Sequence, residues 1–168
     1  MKPKTALLIP IALIALAASF IFILTQCRGS LPEGFLTGSY MHNSEVQQLE
    51  LQNYIQLQPA PDLSTLRRIA FRLVNNTDEM YTYTAQMDLY IWHKDKWMQV
   101  APAQKRLLFS TWARLAPQSY AVIDIFANTG YWGRLPNGEY IAVKRQVIPE
   151  NLPEREDWPI VIGRFTLS

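Results

Sequence analysis

The segment Met87–Val100, MDLYIWHKDKWMQV, constrains the fold more than any other stretch of the chain. Its first six residues alternate in character, as they do when successive side chains of a strand point to opposite faces. Four polar residues, His93–Lys96, then interrupt the pattern, and Trp97, Met98 and Val100 resume it. Two β-favouring runs around a short polar stretch are typical of an antiparallel hairpin. We therefore expect an antiparallel β fold, with Trp97 in its core and His93–Lys96 as an exposed turn.

Similar patterns recur along the rest of the chain. Predicted strands cover residues 49–57, 66–74, 80–84, 107–112, 120–126, 139–147 and 160–167. Turn-forming residues separate them, as in Asn75-Asn76-Thr77-Asp78 and Leu115–Ser119. About seven to nine short strands without a long amphipathic helix indicate an all-β fold, either an immunoglobulin-like (Ig-like) antiparallel β-sandwich or, less favoured, a barrel. Asn75-Asn76-Thr77 also matches a glycosylation acceptor, but a turn is the preferred interpretation.

The N-terminal stretch points to a membrane. Residues 6–26, ALLIPIALIALAASFIFILTQ, carry no charge. A helix of about twenty residues spans roughly 30 Å, the hydrocarbon thickness of a bilayer. Lys2 and Lys4 precede this run and only Arg28 follows it closely, which places the N-terminus in the cytoplasm and the remainder on the extracytoplasmic side. The sequence thus predicts a helix within residues 1–27 that holds the protein at the cytoplasmic membrane.

Residues 1–27 either remain as an uncleaved transmembrane anchor or act as the signal of a lipoprotein. The length of the apolar run favours the anchor, because signal peptides use apolar regions of about 7–15 residues. Leu24-Thr25-Gln26-Cys27 resembles the bacterial lipobox, whose cysteine is acylated, so Cys27 is the candidate lipidation site. Under both alternatives, residues 28–48 are a juxtamembrane linker and residues 49–168 the folded domain.

The charge of the domain argues against nucleic-acid binding. The whole chain has a net charge of +2, and Lys2 and Lys4 account for it, since residues 28–168 hold 14 basic and 14 acidic side chains. A neutral domain lacks the positive field that nucleic-acid binding uses. The pairs Lys105-Arg106 and Lys144-Arg145 are interpreted as solvated strand ends.

The sequence shows no constellation typical of a catalytic, cofactor or metal site. His42 and His93 have no further ligand at metal-binding spacing, and Cys27 lies at the membrane boundary. We therefore expect a non-catalytic protein without a cofactor; a hydrolase with a site on its loops is the least favoured alternative. Two adjacent aromatic residues in a glycine-flanked loop, Tyr131 and Trp132, are the candidate partner-binding residues.

Several landmarks follow one another in a recognisable order between Leu49 and Leu167. They are Tyr83, Trp97, Val100, Leu115-x-Pro117, Leu135-Pro136-x-Gly138-x-Tyr140 and Phe165-Thr166. This order resembles a bacterial Ig-like domain family of membrane-anchored or lipidated envelope proteins. The resemblance implies an Ig-like sandwich outside the membrane and no catalytic residue. The expected function is binding of a protein or cell-wall partner, with a structural spacer or an accessory subunit of a membrane complex as the alternative; the oligomeric state is not specified.

Overall fold

The computed structural model describes residues 31–51, 54–65, 68–103, 111–126, 131–151 and 159–168. In these residues the strands are β1 Leu36–Met41, β2 Ile55–Pro59, β3 Arg68–Asn75, β4 Tyr81–Tyr83, β5 Asp88–His93, β6 Lys96–Val100, β7 Ala113–Leu115, β8 Ser119–Phe126, β9 Gly138–Lys144, β10 Val147–Pro149 and β11 Val161–Leu167. Helix α1 spans Asn43–Glu50, and a 3-10 turn spans Pro61–Leu63. All pairings between these strands are antiparallel. The prediction of an all-β, antiparallel fold is confirmed.

The predicted hairpin is formed by β5 and β6. Trp92 pairs with Trp97, and His93 pairs with Lys96. The two residues between them, Lys94 and Asp95, have φ angles of 49° and 60°. Two-residue hairpin turns favour positive φ at both central positions, because the turn then matches the right-handed twist of the strands. Among residues 87–100, only Lys94 and Asp95 are exposed, so the exposed turn is shorter than the predicted His93–Lys96.

The largest sheet has the strand order β1–β6–β5–β9–β11, and both of its faces are covered. Strand β9 shows this best, since its last five residues, Tyr140 to Lys144, are all buried. Alternation between apolar and polar residues is lost in a strand that is covered on both sides. The central part of this sheet therefore forms the middle layer of the domain.

Helix α1 covers one face of the large sheet. Its buried residue, Val46, belongs to an apolar cluster with Tyr90, Trp97, Ile141, Val143 and Ile162. The indole Nε1 of Trp97 donates a hydrogen bond of 3.2 Å to Asn43 Oδ1 in the first turn of the helix. The expectation that Trp97 lies in the core is confirmed.

The other face packs against a three-stranded sheet of order β2–β3–β8. The ring centroids of Phe71 in β3 and Phe165 in β11 are 5.7 Å apart. A Cβ atom at Gly163 of β11 would lie 2.6 Å from the carbonyl oxygen of Leu57 in β2. Because such an approach is too short for any side chain, glycine lets the two sheets come together here. A third sheet, of order β10–β4–β7, completes the described fold.

The folded unit begins earlier than the sequence predicts. It spans Glu33–Ser168, and residues 36–50 form β1 and α1 where a linker was expected over residues 28–48. Strand β1 pairs with the edge of β6, and α1 is held by the burial of Val46. Both elements are short and polar on their outer side, so their patterns do not distinguish them from a tether.

Three predicted strands and one turn need correction. The strand expected from residue 49 starts at Ile55, after the helix, and the strand expected over residues 139–147 is divided between β9 and β10. Residues 113–115, at the start of the predicted Leu115–Ser119 turn, form β7. Of the predicted strand at residues 107–112, only the last two residues are described, and they are not in a strand.

The predicted membrane segment of residues 6–26 and the candidate lipidation site Cys27 lie outside the described residues. Within the described residues, no helix has the length and apolar character needed to cross a membrane.

Candidate functional site

The two aromatic residues singled out in the sequence lie in a packed loop. Trp132 is only 9% exposed, and its ring centroid is 4.8 Å from that of half-buried Tyr131 in an edge-to-face arrangement. The backbone N–H of Ala103 donates a 2.7 Å hydrogen bond to the carbonyl of Tyr131, which fixes the loop to the segment after β6. Gly133 has a φ of 63°, and a Cβ there would lie 2.9 Å from the Cβ of Ala103. Partner binding by Tyr131 and Trp132 remains a prediction, and little of Trp132 is available for it.

A polar corner, defined by residues 84–88 and 144–146, is the most unusual chemical environment in the described domain. Here β4 leads into β5 and β9 leads into β10. Because β5 pairs with β9 and β4 pairs with β10, two neighbouring strands leave one sheet and enter another at the same level. The chain therefore crosses twice between sheets at this corner, and side chains there can control how firmly the crossing is held.

Lys144 lies inside the corner and is completely buried. Its Nζ donates hydrogen bonds to the carbonyl oxygen of Gln86 at 2.9 Å and to Thr84 Oγ1 at 3.2 Å. The Thr84 hydroxyl in turn donates to Gln146 Oε1 at 3.0 Å, so one amine connects both crossing segments. Burial lowers the pKa of Lys144 to about 8, and the negative charge of Asp88 opposes this only in part. The interpretation of Lys144 as a solvated strand end is wrong.

Arg145, the next residue, points to the other side of the corner. Its Nε lies 2.9 Å from Asp88 Oδ2, and its Nη2 donates a 3.0 Å hydrogen bond to the Tyr90 hydroxyl. This ion pair borders a small open pocket. The pocket is lined by Gln86, Met87, Asp88, Val143, Arg145 and Gln146. In the described structure Asp88 bonds to Arg145, whereas the Lys144 amine bonds to Thr84 and Gln86.

The sequence contained a signal for the buried lysine. Lys144 follows Tyr140 and Ala142 at every second position, so it shares the face of β9 that points into the protein. The adjacent arginine suggested a pair of exposed charges instead. Only the antiparallel neighbours of β9 decide which of the two cations is buried.

Asn75 is a second buried polar residue, and it organises a turn. It is 1% exposed, and its Nδ2 donates to the carbonyl oxygens of Glu79 and Ala116, at 2.8 and 2.9 Å. Its Oδ1 accepts hydrogen bonds from the backbone N–H and the hydroxyl of Thr77, at 3.0 and 2.8 Å. Since the amide nitrogen is buried and both of its hydrogens are used, the turn interpretation accounts for Asn75, and its amide is not accessible for glycosylation in the folded domain.

The outer face of the three-stranded sheet is the main exposed surface with apolar character among the described strands. The outer face is defined by two rows of residues that run across β2, β3 and β8. The rows are Gln56, Val74 and Tyr120, and Gln58, Arg72 and Val122. Tyr120 is 61% exposed and Val122 is 41% exposed. The guanidinium carbon of Arg72 lies 5.8 Å from the centre of the Tyr120 ring. The sequence does not reveal this surface, because the residues on both faces of β8, SYAVIDIF, favour β structure.

Metal chemistry finds no support in the described part of the chain. Within those residues, no group of three His, Cys, Asp or Glu side chains is placed to hold a metal ion. His42 directly follows β1 and His93 is the last residue of β5. Strand β6 lies between these two strands in the sheet.

A scan against protein-family models found no match. A search of curated proteins found no similar sequence.

Proposed function

We propose that the protein is a non-catalytic, Ig-like module that is tethered to the extracytoplasmic face of the membrane and binds a protein partner through the outer face of its three-stranded sheet. One observation carries the binding proposal. The side chains of Tyr120 and Val122, two residues apart on the same face of β8, are 61% and 41% exposed. Aromatic and β-branched side chains that protrude together from a rigid sheet are typical of recognition surfaces.

The strand orders support the Ig-like part of the proposal. In Ig domains, the third, sixth and seventh strands form one sheet, and the first, second and fifth contribute to the other. The orders β6–β5–β9–β11 and β2–β3–β8 follow this arrangement when β2, β3, β5, β8, β9 and β11 are taken as the first, second, third, fifth, sixth and seventh strands. In this comparison β6 is an extra strand beside the third, and the short strands β4, β7 and β10 are not counted. Strand β1 and helix α1 are then additions to one edge and one face.

The local structure around Tyr140 gives further support. Its hydroxyl donates a 2.6 Å hydrogen bond to the carbonyl oxygen of Pro136, four residues earlier. Many Ig-like sandwiches have such a tyrosine corner before the strand that corresponds to β9. The motif Leu135-Pro136-x-Gly138-x-Tyr140 thus acquires a physical role, because the buried hydroxyl satisfies a turn carbonyl and fixes the entry into β9.

The uncharged run of residues 6–26 supports the tether. A span of this length is suited to cross a bilayer once, and the two lysines before it favour a cytoplasmic N-terminus. The folded unit begins at Glu33, a few residues after the run along the chain. A module so placed would meet proteins of the membrane or the cell wall.

The test is capture of a partner by the tagged full-length chain from solubilised membranes of its host. We compare the natural chain with Tyr120→Lys and with Trp112→Lys, since Trp112 is also 50% exposed but lies outside the outer face. A central aromatic residue of an interface contributes about 2 kcal/mol or more, so Tyr120→Lys should weaken binding roughly thirty-fold. Trp112→Lys should retain it.

The thermal midpoints of the three proteins serve as the control, because both changes are on the surface. A partner that binds all three equally would show that this face is not the binding surface. A cell-wall polysaccharide in place of a protein would change the class of partner, and the absence of a stoichiometric partner would favour the structural spacer.

A further inference from the structure

The described charges at the corner do not balance. Two cations, Lys144 and Arg145, lie there with one carboxylate, Asp88, and that carboxylate is bonded to Arg145. Of the other elements beside the lysine, β4 contributes the titratable Tyr83, and the β11 residue paired with Lys144, Val161, has no charge. Burial raises the pKa of Tyr83, so it stays neutral near physiological pH. The ammonium group is thus held by two oxygen acceptors without a carboxylate of its own.

Both acceptors belong to the same crossing segment. Gln86 uses its backbone carbonyl and Thr84 its hydroxyl, and Thr84 continues the chain of hydrogen bonds to Gln146 in the second segment. A neutral amine can keep these bonds, because it still has two N–H groups and one lone pair. The charge of a protonated amine is stabilised less at this buried position than in water, because a buried charge is costly without a counter-ion.

We propose that Lys144 makes the corner a proton-controlled joint: the double crossing between sheets is closed firmly when the amine is neutral, and it opens more often when the amine is protonated. The opening is local, and it frees residues 84–88 and 144–146 while the central strands stay paired. Its consequence is a corner, and a pocket beside it, whose mobility responds to the pH outside the membrane.

The direction follows from proton linkage. The pKa of Lys144 is about 8 in the closed corner, and its ordinary value of 10.5 applies once the corner opens to water. The open form therefore binds the proton more tightly, so a fall in pH favours opening and a rise in pH favours closure. With these two values, the open-to-closed ratio should fall about ten-fold between pH 6.5 and pH 9.

Hydrogen–deuterium exchange of the full-length chain tests this proposal. Exchange rates of amides in residues 84–88 and 144–146 are corrected for the intrinsic effect of pH and compared at pH 6.5 and 9 under conditions where closing is faster than exchange. We expect protection to rise about ten-fold at the corner and to stay constant in the β5–β6 hairpin. Protection that does not change at the corner would overturn the proposal.

Two variants separate the lysine from other groups that titrate in the same range. In Lys144→Met the corner should lose its pH dependence. In Lys94→Met, which removes an exposed lysine of the hairpin turn, the ten-fold change should persist. A pH dependence that survives in Lys144→Met would assign it to another group and would contradict the proposal.

A direct titration keeps the test decisive if Lys144→Met does not fold. With lysine labelled by ¹³C at Cε, the nuclear magnetic resonance signal of Lys144 should titrate with a midpoint near pH 8. The signals of exposed lysines serve as the reference. A midpoint for Lys144 that coincides with theirs would show that the buried amine does not respond to protons in this range, and the joint would then not be controlled by pH.

Discussion

At the residue scale, buried polar side chains in this domain hold connections between strands. Asn75 bonds to three groups of its own turn and to the carbonyl of Ala116 in a second turn, and Lys144 joins two crossing segments. Tyr140 does the same for the turn before β9, and burial raises the pKa of its hydroxyl. The hydrogen bonds of such groups add little net stability, but removal of the group leaves its buried partners unsatisfied. They therefore specify the path of the chain more than they stabilise it.

Asn75→Ala should lower the free energy of unfolding by about 2–4 kcal/mol, because it leaves the carbonyl oxygens of Glu79 and Ala116 without their donor. Denaturant unfolding measures this difference. An exposed residue of the same turn provides the control, and Glu79→Ala should cost clearly less. Equal losses for the two variants would mean that the side-chain network of Asn75 does not hold the turn.

At the scale of elements, the short helix α1 shows how a weak pattern becomes a stable element. Eight residues are too few for a stable helix in isolation. The backbone N–H of His42 donates a 2.8 Å hydrogen bond to the carboxylate of Glu45, which caps the first turn. At the last turn, Glu50 forms an ion pair with Arg164 of β11. The guanidinium carbon of Arg164 lies 5.0 Å from the centre of the Trp97 ring. The helix is thus fixed at both ends by contacts with the sheet.

Val46→Ala should lower the free energy of unfolding by about 1–2 kcal/mol, since two buried methyl groups are lost and the higher helix propensity of alanine offsets part of the loss. Gln48→Ala, on the exposed side of the same helix, should change it by less than about 0.5 kcal/mol. If Val46→Ala were as mild as Gln48→Ala, the helix would not contribute to the core. Thermal and denaturant unfolding both report the comparison.

At the scale of the whole molecule, the chain combines an apolar N-terminal run with a β domain of balanced charge. The run is confined to residues 6–26, whereas residues 28–168 carry equal numbers of acidic and basic side chains. A neutral domain is not drawn to anionic lipids or nucleic acids by its overall charge. Its place at a membrane would depend on the N-terminal run and on Cys27.

Mass spectrometry of the membrane-extracted protein distinguishes the two forms of the tether. We expect the uncleaved chain without lipid, because the run is long enough to span the bilayer. Cys27→Ala should then leave the membrane-bound fraction unchanged. A diacylated N-terminus at Cys27 would contradict the anchor and establish the lipoprotein.

The hairpin, the strands β3 and β8, and the antiparallel all-β class were predictable from the sequence, because local alternation and turn residues are properties of neighbouring positions. Trp97 was placed correctly in the core for the same reason. Strand β7 and the split between β9 and β10 were not, since three-residue strands carry too few positions for a pattern. Local sequence thus determines which long segments are extended and where turns separate them.

Only the tertiary structure decided which faces of these segments are covered. Helix α1 buries the side of the large sheet that carries Trp97, and so turns a predicted tether into part of the core. The same packing buries Lys144, which its place in the Lys144-Arg145 pair suggested to be solvated, and leaves Tyr120 exposed. The physical reason is that burial depends on which distant strands and helices pack together, and alternation along one strand distinguishes its two faces without saying what covers either of them.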